Sequence, residues 1–373
     1  MHKKVFIKNY GCQMNVRDSQ IVCGILKKGG YRIVDEPDRA DIVILNTCSV
    51  RQHAEDRAWS AAGSLKKDRI IGIIGCMAQN YAQGIFERAP NVSFIAGPAD
   101  IDKIPGILAR LTKDKGLFER KIYETDGQKR PEEIYRTGFY EDKNNGLVVI
   151  SEGCSNFCSY CVVPYVRGPL KHRHYKDIIK EIEIALGRGI TSVTLLGQNV
   201  NAYKDGDVDF VKLIELVNSL KGLKNFTFIT SHPKDTEIGL FKAMAGLAKL
   251  KKHLHLPAQS GSDRILKLMN RNYSRKYYLD LVRNYRKIVK GGTLSTDIIV
   301  GFPSEDKKDF NDSVSLIKNT RFSAAYIFKY SPRPHTDAFK MADTVEKEEK
   351  EKRHRLILDL QREISKKNAK KTG

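Results

Sequence analysis

Three cysteines share one short loop in Glu152-Gly153-Cys154-Ser155-Asn156-Phe157-Cys158-Ser159-Tyr160-Cys161, a CxxxCxxC run. Thiolates are soft ligands that favour zinc or iron–sulfur chemistry. The number three is informative. A 4Fe–4S cluster normally takes four cysteines, so a set of three leaves one iron open to another ligand. A structural zinc site would need a fourth Cys or His to close its tetrahedron, and His172 and His174 are near enough in sequence to be candidates. Structural zinc usually shows two CxxC pairs, which favours the cluster here.

A second set is spread through the N-terminal third. Cys12, Cys48 and Cys76 lie in Tyr10-Gly11-Cys12-Gln13-Met14-Asn15, Asn46-Thr47-Cys48-Ser49-Val50-Arg51 and Gly75-Cys76-Met77-Ala78-Gln79. Each follows a short apolar, β-branched run, and the ends of parallel strands share one sheet edge, where such folds bind ligands. Three unrelated core cysteines are the plainer alternative, since free Cys is commonly buried. Repetition of the placement after three successive strands weighs against it. Cys23 occupies an apolar helical position in Ile21-Val22-Cys23-Gly24-Ile25-Leu26 and reads as packing.

The elements that must position these residues alternate strand and helix. Runs at Lys4–Lys8, Ile42–Leu45, Ile70–Ile74 and Val92–Ile95, with helical patterns between them, predict an open, mostly parallel α/β sheet. Periodicity fades into charge over residues 112–145, which reads as a linker. Six strand–helix units then follow, with strands expected at Leu147–Ser151, Ser192–Leu196, Phe226–Thr230, His253–Leu256, Leu294–Val300 and Ala324–Tyr330. That predicts a partial (βα)6 TIM-like barrel, with Cys154, Cys158 and Cys161 in the loop at the carboxyl end of its first strand, where barrels keep their active sites. The expected division is residues 1–111, linker 112–145, barrel 146–340, and a C-terminal helix with basic tail over 341–373. Leu356, Ile357, Leu360 and Ile364 form the apolar stripe of that helix, and Lys366–Lys371 the tail.

Composition sets the outer bounds. The 373 residues are 41% apolar and 29% charged, an ordinary globular balance. No run approaches the roughly 18 apolar residues of a membrane helix, and the N-terminus lacks a secretory pattern. A cytoplasmic protein is expected. The formal charge of +21 favours a polyanionic partner. Seven cysteines, an odd number in a long chain of this kind, point to ligation or catalysis rather than a disulfide framework.

From residue 4 to about 365 the sequence resembles the methylthiotransferase branch of the radical-SAM superfamily, through YGCQMN, NTCSVR, GCMAQ, EGCSNFCSYCVVPYVRG, LLGQNVNAY, HLHLPAQSGS and STDIIVGFP. NTCSVR, GCMAQ and GQNVN resemble the tRNA 2-methylthio-N6-dimethylallyladenosine synthases more than the enzymes acting on threonylcarbamoyl-adenosine or on ribosomal protein S12. The resemblance implies an auxiliary 4Fe–4S cluster on Cys12, Cys48 and Cys76 and a radical-SAM 4Fe–4S cluster on Cys154, Cys158 and Cys161. It also implies S-adenosyl-L-methionine as cofactor, isopentenylated adenosine of the tRNA anticodon stem-loop as substrate, and a one-electron reductant such as flavodoxin or ferredoxin. The expected state is a monomer.

By the same resemblance, Tyr160 lies beside the cofactor adenine, while Gln198, Asn199 and Ser231 end strands that face the cofactor. His232 is equally readable as a structural histidine. Arg167 is expected to meet a cofactor or substrate anion, and Tyr203 to stack on RNA. No catalytic side chain beyond the cluster ligands is expected. The family usually continues into a small β-barrel TRAM domain that grips tRNA, and this chain stops at Gly373, near where that domain would begin. The expectation is either truncation or reliance on the basic surface and final helix. Ser304 and Asp306 stand in Gly301-Phe302-Pro303-Ser304-Glu305-Asp306 where GFPGET is usual, and His335 replaces a usual Gly. The reading of another class is a non-catalytic iron–sulfur protein that binds nucleic acid. It would have no need of two open irons.

Overall fold

The computed structural model describes residues 3–66, 68–113, 121–138, 140 and 142–372. Residues 114–120 of the expected linker fall outside that set, as do the side chains of Lys370 and Lys371 in the expected tail. The chain forms two compact units: Met1–Gly153 with Val162–Lys171 and Lys176–Ile190, and Cys154–Cys161 with His172–Tyr175 and Thr191–Gly373.

In the first unit the order is β1 (Lys4–Tyr10), α1 (Gln13–Lys28), β2 (Arg32–Ile33), β3 (Ile42–Thr47), α2 (Gln52–Ser64), β4 (Ile70–Gly75), α3 (Cys76–Tyr81), α4 (Gly84–Arg88), β5 (Phe94–Ala96), α5 (Ile104–Lys113) and β6 (Ile122–Glu124). The strands form one all-parallel sheet in the order β2-β1-β3-β4-β5-β6. Every residue of β3 (IVILNT) and β4 (IIGIIG) is buried. Continuous apolar runs of this kind suit strands covered on both faces. The sheet reverses its winding between β1 and β3, and open α/β sheets form their ligand crevice at such a switch point.

β6 lies inside the segment expected as a linker, and its three residues pair with β5. The first unit also takes in more chain than the expected boundary at 111. β7 (Asn145–Val149), β8 (Ser151–Glu152) and α6 (Val163–Arg167) follow, then β9 (Lys171–His172) and α7 (Tyr175–Gly187). Val162 and Val166 pack against Cys76. Glu181 of α7 meets Arg17 of α1 at 2.9 Å, with neither side chain exposed. These contacts draw α6 and most of α7 into the first unit.

The second unit continues with β10 (Ser192–Leu196), the hairpin of β11 (Lys204–Asp205) and β12 (Val208–Asp209), α8 (Phe210–Ser219), β13 (Asn225–Phe228), α9 (Ile238–Gly246) and β14 (His253–His255). Then come α10 (Asp263–Leu268), α11 (Arg275–Ile288), β15 (Thr293–Val300), α12 (Lys307–Thr320), β16 (Ala324–Lys329) and α13 (Lys347–Thr372). β10 pairs with β13, and β15 lies between β14 and β16, all parallel. The six strands expected of the partial (βα)6 barrel are present as β7, β10, β13, β14, β15 and β16. Short polar caps start its helices. Asp209, Ser262, Ser274 and Asp306 each accept a hydrogen bond from a backbone N–H in the first turn, and such a cap contributes about 1 kcal/mol.

The buried face of α13 differs from the expected stripe. Ile357 and Ile364 are buried, Leu360 is half-buried, and Leu356 is 46% exposed. Arg353 and Gln361 are buried in its place, because both find partners: Arg353 reaches Glu305 Oε2 at 2.8 Å and Gln361 Nε2 donates to the Phe322 carbonyl at 3.0 Å. Among the described residues no helix is long and apolar enough to cross a membrane.

Candidate cluster sites

The register of the first sheet sets Tyr10 opposite Thr47 and Thr47 opposite Gly75. Cys48 and Cys76 are therefore the next residues after two facing strand ends, and Cys12 lies two beyond the third. Neighbouring strands are about 4.8 Å apart, so three adjacent strands deliver one thiol each to one edge. Gly75 makes the turn possible. Its φ is +91°, and a Cβ there would come within 2.6 Å of Asn46 Oδ1 and the Thr47 carbonyl. A buried amide pair fixes the edge: Asn15 Nδ2 donates to Asn46 Oδ1 at 3.1 Å and to the Thr47 carbonyl at 3.0 Å. Asn46 Nδ2 answers with bonds to the Asn15 carbonyl and Ser19 Oγ. Asn15 Oδ1 also accepts from the Cys12 backbone N–H at 3.2 Å.

Cys12 is exposed, while Cys48 and Cys76 are buried. A hydrogen bond from Cys48 brings the Cys12 thiol down to about 6, and the Arg167 charge acts in the same direction. Cys48 is pushed well up by that same bond and by burial. Burial also raises Cys76, against the charge of Arg167. Arg167 stands on the triad itself: Nε donates to Cys76 Sγ at 3.3 Å and Nη2 to Asp18 Oδ2 at 2.8 Å. Asp18 Oδ1 in turn holds Arg130 at 2.7 Å, and Arg130 holds Glu152 at 2.8 Å. Burial works against the Asp18 carboxylate, yet the two arginines outweigh it and keep its pKa below the usual range.

In the second unit, the loop Cys154–Cys161 is pinned at its centre. Ser159 N–H donates to the Met269 carbonyl at 3.1 Å, Ser159 Oγ to the Leu268 carbonyl at 2.8 Å, and the Ala338 N–H to the Ser159 carbonyl at 2.7 Å. Arg271 reaches Cys158 Sγ and the Tyr160 hydroxyl, both at 3.4 Å, and the Pro257 carbonyl at 3.0 Å. Its Nε donates to the Tyr273 hydroxyl at 2.9 Å, and Tyr273 meets the His232 ring edge-on at 5.8 Å. Phe157, between the first two cysteines, has a φ of +45°. Thr230 (+73°) after β13 and Gln259 (+65°) after β14 share that left-handed conformation. For a β-branched residue such as Thr230 this is a true outlier, and such strain clusters at functional sites.

Both donor sets fit the clusters their chemistry suggests. Among the described residues, no three Cys, His, Asp or Glu side chains converge tightly enough for a single ion. Thiols spread one to a strand, as in the first set, or three in one short loop, as in the second, suit a four-iron cube in which each takes a different iron. The histidines that could complete a zinc site have other contacts: His172 Nδ1 accepts from the Lys204 N–H at 3.3 Å, and His174 stacks on Tyr175. Around the second triad, Gln198 Oε1, Asn199 Oδ1, Ser231 Oγ and His232 Nε2 are buried without a hydrogen-bond partner among the described residues. Buried polar atoms are nearly always paired, so these four are free to bond a polar ligand. Burial and the charges of Arg271 and Lys234 hold the His232 pKa at about 2, so the ring is neutral. Its Nδ1 accepts from the Lys234 N–H, which leaves the proton on Nε2 as a donor.

Arg167, expected at a cofactor or substrate anion, meets Cys76, one of the three thiols of the first set, and Asp18. One sequence expectation changes. Tyr203, expected to stack on RNA, is 2% exposed, with its hydroxyl on the Arg173 carbonyl at 2.8 Å and its ring against His172. A ring so covered presents no stacking face. Sequence reasoning passed over Asp18, Arg130, Arg271 and Tyr273. The one available signal was Asn270-Arg271-Asn272, since Asn tolerates the left-handed φ of +54° and +51° found on either side of Arg271.

Residues 4–97 match a family described as Uncharacterized protein family UPF0004, and residues 148–317 match the Radical SAM superfamily. The tRNA-2-methylthio-N(6)-dimethylallyladenosine synthase of Clostridium beijerinckii is 42% identical over 371 residues, covering 96% of this chain and 80% of that protein. The protein of the same name from Thermosipho melanesiensis is 42% identical over 372 residues, covering 98% and 84%. Among solved structures, the radical S-adenosylmethionine methyltransferase TsrM from Kitasatospora setae, with cobalamin and a 4Fe–4S cluster bound, aligns with a TM-score of 0.62. It is 13% identical, covering 91% of this chain and 77% of that one, a likeness of fold alone.

Proposed function

This chain belongs to the radical-SAM methylthiotransferases, the family of the tRNA-2-methylthio-N(6)-dimethylallyladenosine synthases it matches along nearly its whole length, and from that premise we propose that it adds a methylthio group to carbon 2 of N6-isopentenyladenosine next to the tRNA anticodon. The observation that carries the reading is the pair of three-cysteine sets, one in each compact unit. When bound, the clusters supply the electron that cleaves S-adenosyl-L-methionine to a 5′-deoxyadenosyl radical and an open iron for the sulfur that is transferred.

The protein's part is to hold and orient. Cys154, Cys158 and Cys161 hold the radical-generating cluster, and Arg271 donates to Cys158 Sγ. Gln198, Asn199, Ser231 and neutral His232 offer their unpaired polar atoms to the amino and carboxylate groups of S-adenosyl-L-methionine. Tyr160, packed on the Phe302 and Met269 cluster, borders the adenine. Cys12, Cys48 and Cys76 hold the auxiliary cluster in the residue 1–111 domain, and residues 146–340 are the radical-SAM core. The electron comes from a flavodoxin- or ferredoxin-type protein, and the enzyme works as a cytoplasmic monomer, a setting that suits seven free cysteines.

The test is anaerobic reconstitution with iron analysis, paired with mass spectrometry of tRNA nucleosides. The intact protein should bind about eight irons, and replacing either cysteine set with Ala should leave about four. Loss of Cys154, Cys158 and Cys161 should abolish 5′-deoxyadenosine formation. Loss of the first set should leave some cofactor cleavage while stopping methylthio transfer. Normal product from Cys48→Ala would overturn the sulfur-transfer role of that domain.

A further inference from the structure

We propose that Arg167 is a positioning residue for the auxiliary cluster, orienting Cys76 and raising the cluster's reduction potential. The proposal rests on the reading of Cys12, Cys48 and Cys76 as cluster ligands. Arg167 sits at the C-terminal end of α6, and the neighbouring Val162 and Val166 pack on Cys76. Its side chain is 4% exposed. One edge donates from Nε to Cys76 Sγ at 3.3 Å, while Nη2 is anchored on Asp18. Asp18 is itself held by Arg130, whose Nε donates to the Pro98 carbonyl at 2.7 Å. The guanidinium is thus fixed before any cluster is bound, as groups supporting metal ligands usually are.

A purely structural ion pair would need only the bond to Asp18. Arg167 has two features beyond that. It spends an N–H on the sulfur of Cys76 as well as one on the carboxylate. Its third nitrogen, Nη1, is buried without a hydrogen-bond partner among the described residues, which leaves a donor for a cluster sulfur. Hydrogen bonds to ligand sulfur and local positive charge both favour the more negative, reduced cluster. Both are expected to raise the potential.

The test uses the full chain carrying Cys154→Ala, Cys158→Ala and Cys161→Ala, so that only the auxiliary cluster remains, titrated under electron paramagnetic resonance. Adding Arg167→Met should shift the midpoint negative, with at least a tenfold fall in the reduced-to-oxidised ratio at fixed potential, about 59 mV. Arg167→Lys keeps the charge but loses the planar donor, and should shift it less. With Cys12, Cys48 and Cys76 replaced instead, Arg167→Met should leave the barrel cluster's midpoint unmoved. An unchanged auxiliary midpoint in either variant, or an equal shift of the barrel cluster, overturns the proposal. If Arg167→Met loses its fold, Arg167→Lys decides alone. Loss of iron from both variants with circular dichroism intact supports the orienting role. If the parent triple variant binds no iron, the cluster reading falls, and this assignment with it.

Discussion

Cys12 and Cys48 share a hydrogen bond, yet their surroundings pull them apart. Cys12 is exposed and the bond from Cys48 holds its thiol below the usual range, while Cys48 and Cys76 are buried and raised. In cluster-free protein Cys12 is therefore the one thiolate of the three at neutral pH, since a lowered pKa leaves the charged form in place at any pH above it. Iodoacetamide should alkylate Cys12 first, with a rate that rises through pH 6 and flattens by about pH 8. Peptide mapping that finds Cys48 or Cys76 modified first would contradict this. The cysteines themselves were legible in the sequence because ligand chemistry leaves a spacing. Arg167 and Arg271 were not legible in their roles. A buried arginine that donates to sulfur looks like any other arginine until the fold supplies its neighbours.

Elements were legible where burial on both faces enforces a run of β-branched residues, as in β3, β4 and β15. β6 was hidden because Ile-Tyr-Glu has only one buried residue, inside a charged segment. Two departures from the family pattern gain a physical meaning from the backbone. Ser304, after β15, has a φ of +69°, and His335, after β16, a φ of +70°. Glycine adopts that region freely, so its usual presence at both sites is a backbone requirement that Ser and His meet under strain. Asp306, by contrast, replaces one good N-cap residue with another, and it accepts from the Asp309 N–H at 2.9 Å. Ser304 is exposed, so its replacement removes no packing. Ser304→Gly should stabilise the second unit by roughly 0.5–1 kcal/mol, the left-handed penalty less the added entropy of an unfolded glycine. A thermal melt of the metal-free protein in which Ser304→Gly unfolds at lower temperature would show that the serine is held by something other than the turn.

At the scale of the whole molecule, the formal charge of +21 is the one property that needs no fold to read. It indicates a polyanion without saying where one binds, and with Tyr203 buried the stacking surface once expected for RNA is removed. Charge must then carry more of the affinity. Lys366 and Lys367 are exposed near the end of α13 and extend the cationic surface. Binding through phosphates releases counterions, so affinity for an anticodon stem-loop should fall roughly tenfold or more between about 50 and 200 mM salt if several phosphates are neutralised. Trimming the Lys366–Lys371 cluster should flatten that slope, because fewer counterions are then released. Discrimination between isopentenylated and plain adenosine should survive the trimming, because it depends on the base and not on phosphates. A gel-shift titration across salt, with both stem-loops and both chains, reads the two effects separately. Salt-independent binding, or loss of base discrimination along with the tail, would move recognition away from phosphate contacts and toward a protein substrate.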